Sequence, residues 1–140
     1  MSTYELAYRL RAAARRPASW LQLLKFGIVG GSGYLINLAV FSVLTDFSLH
    51  RVIAAIGAFC VAVANNFLWN RYWTFGPGDG HPAFQAARFF AVSLAALLIN
   101  LAVLEALVTG TSLGDLTSQA IAVAVAMPFS FLGNKLWTFT

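Results

Sequence analysis

The sequence predicts an all-α membrane protein in which four helices cross the bilayer. Of its 140 residues, 59% are hydrophobic and 10% are charged, whereas a soluble domain carries about 25% charged residues. Four long apolar stretches each approach the roughly 20 residues that span a bilayer. These stretches lack the two-residue alternation of barrel strands, so helices are the structure that satisfies their backbone in lipid. Together the observations exclude an ordinary soluble domain and a disordered chain.

Residues 1–20 form a basic segment ahead of the spans. Leu6 and Leu10 lie one helical turn apart, arginines accumulate between residues 9 and 16, and Pro17 ends the pattern. We expect a short amphipathic helix that lies on the membrane surface. A disordered basic tail is the alternative.

Residues 21–140 form the four-span membrane domain. The first apolar stretch is too long for the hydrophobic region of a signal peptide, which has about 7–15 residues. The third apolar stretch, which begins at Phe89, continues past Glu105 to Val108. The four uncharged stretches are Phe26–Thr45, Val52–Asn70, Phe89–Leu104 and Leu116–Asn134.

The basic residues lie almost entirely on one side of the predicted membrane. With four spans, the N-terminal segment, the middle loop and the C-terminus share a side, and of the nine Lys and Arg only Arg51 lies on the other. The positive-inside rule then places both termini in the cytoplasm. The net charge of +4 indicates anionic membrane lipids as partners, and no nucleic acid is expected.

The two halves of the membrane domain resemble each other. Ile-Asn-Leu-Ala-Val begins at Ile36 and at Ile99, and Phe67–Phe75 recurs as Phe131–Phe139, with offsets of 63 and 64 residues. The two repeats extend over about 25–76 and 88–140. Copies with an even number of spans face the same way, and such parallel repeats place the substrate site of many transporters at their interface. Duplication for packing alone is the alternative.

Three motifs carry a resemblance to a known family. They are Lys-Phe-Gly-Ile-Val-Gly-Gly from Lys25, Asn-Arg-Tyr-Trp-Thr-Phe from Asn70 and Asn-Lys-Leu-Trp-Thr-Phe from Asn134. Over residues 21–140 the sequence resembles the GtrA-like family of small four-span proteins of cell-surface polysaccharide synthesis. The resemblance implies a polyprenyl-phosphate-linked sugar as the ligand, a location in the cytoplasmic (inner) membrane, and translocation of the ligand across that membrane. For some members it implies recruitment of a glycosyltransferase instead.

Four basic residues at the span ends are candidate ligands of a lipid phosphate. Arg71 and Lys135 end the even-numbered spans, where the negative end of the helix dipole favours a cation. Lys25 and Arg88 open the odd-numbered spans, where free N–H groups attract an anion. All four can donate charge-assisted hydrogen bonds to phosphate, and a single phosphate near the repeat axis is expected to meet Arg71 and Lys135. A purely topological role is the alternative.

Six asparagines are predicted to line a polar path or to contact the sugar. An asparagine near the middle of a span must face protein or a water-filled cavity, and a hydrogen bond between two helices is the alternative role. The six are Asn37, Asn65, Asn66, Asn70, Asn100 and Asn134.

Glu105 is the candidate coupling acid, because it is the acidic residue inside a span away from both ends. A position at the outer interface is the alternative.

Cys60 lies in an apolar stretch and is expected to be buried, and His50 and His81 lie on opposite sides of the membrane. We therefore expect no metal and no cofactor. Since no catalytic constellation falls at one depth, we expect no enzyme.

Three functions are compatible with these features. The first is translocation of a polyprenyl-phosphate-linked sugar, and the second is a membrane subunit that recruits a glycosyltransferase. The third, a small multidrug-resistance-type exporter, needs an acid deep in the first span, which has none before Asp46. Four short helices enclose little space, so we expect a homodimer, packed through the face of the first span that carries Gly27 and Gly31.

Overall fold

The computed structural model describes residues 2–140, apart from the side chains of Ala13 and Arg51. Two parts of the sequence-based predictions lie outside this description. They are Met1, which belongs to the predicted N-terminal segment, and the side chain of Arg51, which was counted among the basic residues. Two π-helical segments, Asn70–Thr74 and Asn134–Thr138, continue the third and fifth helices. No strand occurs within residues 2–140, which confirms the all-α prediction. The helices are α1 (Thr3–Ala14), α2 (Pro17–Asp46), α3 (Arg51–Trp69), α4 (Pro82–Gly110) and α5 (Asp115–Gly133).

Within residues 2–140, four helices are long and apolar enough to cross a membrane, so the chain is a multi-pass membrane protein. α2 and α4 begin with Pro17 and Pro82, because proline fits the first helical turn, where its missing N–H costs no hydrogen bond. These starts lie about two turns before Lys25 and Arg88. The prediction that Lys25 and Arg88 open their helices is therefore wrong, since the free N–H groups lie earlier.

The N-terminal segment is helical and folds back onto the start of α2. α1 ends at Ala14 and α2 begins at Pro17, and the indole N–H of Trp20 donates to the Ala14 carbonyl at 2.9 Å. On α1, Arg9 and Glu5 form an exposed ion pair at 3.6 Å. The helix that was predicted for this segment is confirmed, and it lies at the end of the bundle where α2 begins.

The spans form two hairpins with equivalent packing. α2 packs against α3 as extensively as α4 packs against α5, while smaller contacts join α3 to α4 and α2 to α5. Lys135 at the end of the second hairpin hydrogen-bonds Ser19 and Gln22 at the start of the first. The start of α2 and the end of the second hairpin therefore lie at the same end of the bundle, which we call the terminal face.

An aromatic cluster joins the repeats near the terminal face. Phe75 stacks on its repeat mate Phe139, with ring centroids 5.2 Å apart and an interplanar angle of 18°. Phe26 meets Phe75 and Phe89 meets Phe139 with the same centroid distance, 6.1 Å, and the same angle, 57°. This agreement indicates a two-fold axis between the repeats. The cluster consists of Phe26, Phe67, Phe75, Phe89, Phe131 and Phe139.

Large apolar side chains are exposed on all four spans, which is the surface that lipid covers. Cys60 lies on this surface and is exposed, so its predicted burial in protein is wrong. The physical reason is that lipid tails are as apolar as a protein core. An apolar stretch around a residue therefore does not tell whether protein or lipid surrounds it.

Candidate functional site

Each repeat ends in a π-helical turn at the terminal face. The N–H of Phe75 donates to the Asn70 carbonyl at 2.9 Å, and the N–H of Phe139 donates to the Asn134 carbonyl at 3.0 Å. A π turn widens the helix, and such turns occur frequently at functional sites. Here the wide turns hold the first and last residues of both segments inside the protein, while Trp73 is exposed.

Arg71 joins the end of the first repeat to the start of the second. Its Nη1 donates to Oε1 of Gln85 at 2.8 Å, and Nε2 of Gln85 donates to the Pro77 carbonyl at 2.9 Å. Arg71 is only 8% exposed and Gln85 only 2%. The chain between the repeats thus covers the Arg71 guanidinium.

Lys135 makes the equivalent connection between the end of the second repeat and the start of α2, just before the first repeat. Its Nζ donates to Oγ of Ser19 and to Oε1 of Gln22, both at 2.8 Å. Gln22 and Gln85 were missed by the sequence reasoning. The signal was present, because the two glutamines are 63 residues apart and each lies three residues before a predicted basic residue.

Lys25 and Arg88 each bind the end of their own repeat. Nζ of Lys25 donates to the Trp73 carbonyl at 3.4 Å, and Nη1 of Arg88 donates to the Trp137 carbonyl at 3.1 Å. The same cations lie over the indole rings, 5.2 Å and 5.6 Å from the ring centroids, in cation–π geometry. Both residues therefore hold the second helix of a hairpin against the first.

The structure brings the four predicted basic residues to one face of the bundle but not to one point. Arg71 contacts the start of α4 and Lys135 contacts the start of α2. The Phe75–Phe139 pair occupies the repeat axis at this end. Within residues 2–140 the two cations share no hydrogen-bond partner, and a phosphate that meets both remains a prediction.

A cavity of about 350 Å³ lies among α2, α3, α4 and α5. Its lining includes repeat mates such as Phe26 with Phe89 and Asn66 with Ser130, so it lies on the repeat axis. Because Phe26 and Phe89 also belong to the aromatic cluster, that cluster bounds the cavity toward the terminal face. The polar lining residues are Asn66, Asn70, Ser93, Asn100, Gln119 and Ser130.

Asn70 lines this cavity and carries a buried hydrogen-bond acceptor that has no partner. The side chain is 1% exposed, and its Oδ1 has no partner within the described structure. In the second repeat, Oδ1 of Asn134 accepts from the Thr138 hydroxyl at 2.9 Å, and Nδ2 donates to the Ser130 carbonyl at 2.9 Å. A buried acceptor without a partner costs free energy, so Asn70 is suited to accept a hydrogen bond from a ligand hydroxyl.

The predicted asparagines divide into two groups. Asn66, Asn70 and Asn100 line the axial cavity, whereas Asn37, Asn65 and Asn134 do not. Asn65 contributes indirectly, since its Nδ2 donates to Oδ1 of Asn66 at 3.4 Å.

Three further polar residues of the cavity were missed. Gln119 carried a signal, because it is a polar residue inside a predicted span. Ser93 and Ser130 carried none, because serine is common in transmembrane helices.

Glu105 does not line the axial cavity. It is exposed on α4, and its backbone carbonyl accepts a hydrogen bond from the Thr109 hydroxyl at 2.7 Å. Its role in coupling remains a prediction.

Comparison with known proteins agrees with this architecture. The profile of the GtrA/DPMS transmembrane domain matches residues 25–139. The uncharacterized membrane protein YngA of Bacillus subtilis is 31% identical over 115 residues, which cover 82% of this chain and 77% of YngA. A dolichol-phosphate mannosyltransferase of Pyrococcus furiosus is 39% identical over 54 residues, which cover 39% of this chain but 15% of that enzyme. The chain therefore belongs to the GtrA/DPMS transmembrane domain family.

Proposed function

We propose that the chain translocates a polyprenyl-phosphate-linked sugar across the cytoplasmic membrane, with both termini in the cytoplasm. The observation that carries the proposal is the axial cavity with the unpartnered Asn70 acceptor at its inner end. Membership of the GtrA/DPMS family supports the ligand class. We assign no catalytic step to the chain.

The cavity suits a single sugar ring. Its volume of about 350 Å³ lies at the lower end of the roughly 300–1,000 Å³ that small-molecule sites occupy. The amides of Asn66, Asn100 and Gln119 both donate and accept hydrogen bonds, as sugar hydroxyls do. Phe26, Phe59 and other apolar side chains complete the lining and can pack against the faces of a ring. The polyprenyl tail would remain in the surrounding lipid.

The basic residues of the terminal face suit the lipid phosphate. Lys25, Arg71, Arg88 and Lys135 all lie at this end, where charge-assisted hydrogen bonds to a phosphate are strong. The aromatic cluster lies between this face and the cavity. Passage of a sugar would therefore require Phe75 and Phe139 to separate, and parallel repeats can do this by a rocking motion against each other.

A transport assay tests the proposal. The purified chain is reconstituted into liposomes that contain polyprenyl-phosphate hexoses, and a membrane-impermeant oxidant of sugars reports their transfer. We expect Asn70→Leu to slow transfer, and Asn37→Leu to leave it unchanged as the matched control outside the cavity. Equal rates with and without protein, or a wild-type rate for Asn70→Leu, would contradict the proposal. A C-terminal reporter that is active in the periplasm would contradict the orientation.

Recruitment of a glycosyltransferase is the second candidate, and the local similarity to a dolichol-phosphate mannosyltransferase favours it. In that case a glycosyltransferase should copurify with the chain and lose membrane attachment without it, while cavity variants should have no effect.

We also propose a homodimer. A Cβ added at Gly27 would meet Met127, whereas a Cβ added at Gly31 would meet no atom beyond its own stretch of helix within 4 Å, so this part of α2 is open. Light scattering of the purified chain in detergent tests this.

A further inference from the structure

A crevice of about 290 Å³ opens between α1, the start of α2 and the second π-helical segment. We call it the α1 crevice. Three basic residues line it, Arg9 and Arg16 from the N-terminal segment and Lys135 from the end of the second repeat. Tyr8 and Ser19 add hydroxyl groups. The fold has thus brought together cations that are more than a hundred residues apart in the sequence.

These charges lack a matching set of carboxylates. Glu5 pairs with Arg9 at 3.6 Å, and this is the only ion pair among the side chains that the structure describes, which exclude that of Arg51. Lys135 has two hydrogen-bond acceptors, Ser19 and Gln22, and both are neutral. Like charges in a crevice that is partly shielded from water repel each other more strongly than in bulk solvent. An anion would relieve this repulsion.

The donors of the α1 crevice match a phosphate group. An ammonium has three N–H donors, so Lys135 retains one beyond its two protein partners. The guanidinium of Arg16 presents a planar fork that fits two phosphate oxygens. The hydroxyl of Tyr8 can donate as well. The crevice lies at the terminal face, the level at which lipid headgroups meet a four-span bundle.

The first repeat does not form such a crevice. There Arg71, the mate of Lys135, is covered by Gln85 and by the chain near Pro77. Arg9 and Arg16 also precede residue 25, where the match to the family profile begins. The α1 crevice therefore depends on residues of the N-terminal segment, outside the matched domain, which meet Lys135 of the membrane domain.

We infer that the α1 crevice binds the phosphate of an anionic lipid. The shared chemistry is a phosphate at the membrane surface, supplied by a polyprenyl phosphate or by an ordinary anionic phospholipid. The inference rests on the proposed function only if the lipid is a polyprenyl phosphate. In that case the crevice would hold the carrier lipid before or after transfer.

Native mass spectrometry of the full chain in neutral detergent tests the inference with three probes: polyprenyl phosphate, phosphatidylglycerol and inorganic phosphate. Arg16→Gln and Lys135→Gln should each weaken lipid binding about tenfold or more, since hydrogen bonds to charged groups are strong. Arg11→Gln is the matched control, because it removes the same charge from an exposed position of α1 outside the crevice. Thermal unfolding establishes that each variant is folded.

The outcomes separate the sources and the two proposals. Tighter binding of polyprenyl phosphate than of phosphatidylglycerol supports a carrier-lipid site, and equal binding supports a general phospholipid site. Competition by inorganic phosphate supports recognition of the headgroup. Wild-type binding in Arg16→Gln and Lys135→Gln, or an equal loss in Arg11→Gln, would overturn the inference. Asn70→Leu should keep lipid-phosphate binding, so a failure of the cavity proposal is distinguishable from a failure of the crevice.

Discussion

The two repeats end in the same motif, but the polar side chains of the motif make different hydrogen bonds in each repeat. In the second repeat, Asn134 and Thr138 hydrogen-bond each other. In the first, the equivalent Asn70 Oδ1 and Thr74 Oγ1 are both buried without a partner in the described structure. The cations differ as well: Arg71 is covered by Gln85 and its Nε is buried without a partner in the described structure, whereas Lys135 has two hydrogen-bond acceptors and lines the α1 crevice.

The aromatic cluster, by contrast, obeys the two-fold axis closely. The contacts of Phe26 with Phe75 and of Phe89 with Phe139 agree in distance and angle. This contrast suggests that duplication preserved the apolar framework, in which each copy needs the same packing. Of the repeat mates Asn70 and Asn134, Asn70 lines the axial cavity while Asn134 bonds Thr138, so the first copy can meet a ligand while the second stabilises the fold.

The largest expected effect tests the symmetry of the framework. Phe75→Ala and Phe139→Ala should each lower the free energy of unfolding by about 3 kcal/mol, because each leaves a cavity in the aromatic cluster. Phe47→Ala is the control, since that ring is 75% exposed. Reversible unfolding in mixed micelles measures all three. Clearly unequal losses for Phe75→Ala and Phe139→Ala would show that the framework is not symmetric in energy.

The next effect tests the asymmetry of the cations. Arg71→Ala should lower the free energy of unfolding by about 2 kcal/mol, because it leaves the buried Gln85 Oε1 without its charged donor. Lys135→Ala should cost less than Arg71→Ala, since Gln22, one of its two partners, is only half-buried and can bond water. The same unfolding assay measures both, and a larger loss for Lys135→Ala would contradict the comparison.

The same two variants test whether one phosphate meets both cations. Binding of a polyprenyl phosphate should then be non-additive between Arg71→Ala and Lys135→Ala, because groups that act on one ligand are coupled. Additive losses would indicate separate sites. Wild-type affinity in the double variant would move the weight to the recruiting-subunit function.

A smaller effect tests the asymmetry of the hydroxyl groups. Thr138→Val should lower the free energy of unfolding by about 1 kcal/mol, because it removes the bond to Asn134 Oδ1. Thr74→Val should change the free energy of unfolding by less than about 0.5 kcal/mol, since the Thr74 hydroxyl has no partner in the described structure. Equal losses would mean that Thr74 is bonded in the working protein.

The smallest effect on stability concerns Glu105. Glu105→Gln should change the free energy of unfolding by less than about 0.5 kcal/mol, because the side chain is exposed. Lipid binding should remain intact, and transfer should slow if a proton gradient drives it. Transfer rates in liposomes with and without an imposed gradient decide this. Unchanged rates at every pH would reduce Glu105 to a residue of the outer interface.

Much of the architecture follows from the sequence alone. An apolar stretch that is long enough to cross the bilayer and lacks the alternation of barrel strands is a helix, because lipid offers no partner for backbone N–H and C=O groups. The near-constant offset of the matching motifs similarly implies two parallel hairpins. These properties depend on solvent and chain length, so they are readable without knowing which helix touches which.

Tertiary structure alone decided which side chains meet. Helix rotation sends Asn100 to the axial cavity but not its repeat mate Asn37, and it leaves Cys60 on the lipid-facing surface. In a membrane the apolar pattern does not reveal this rotation, because lipid and protein core are equally apolar. The α1 crevice, too, exists only because folding places Arg16 beside Lys135. Rotation and fold-back are set by packing between distant segments, and no local sequence pattern encodes such contacts.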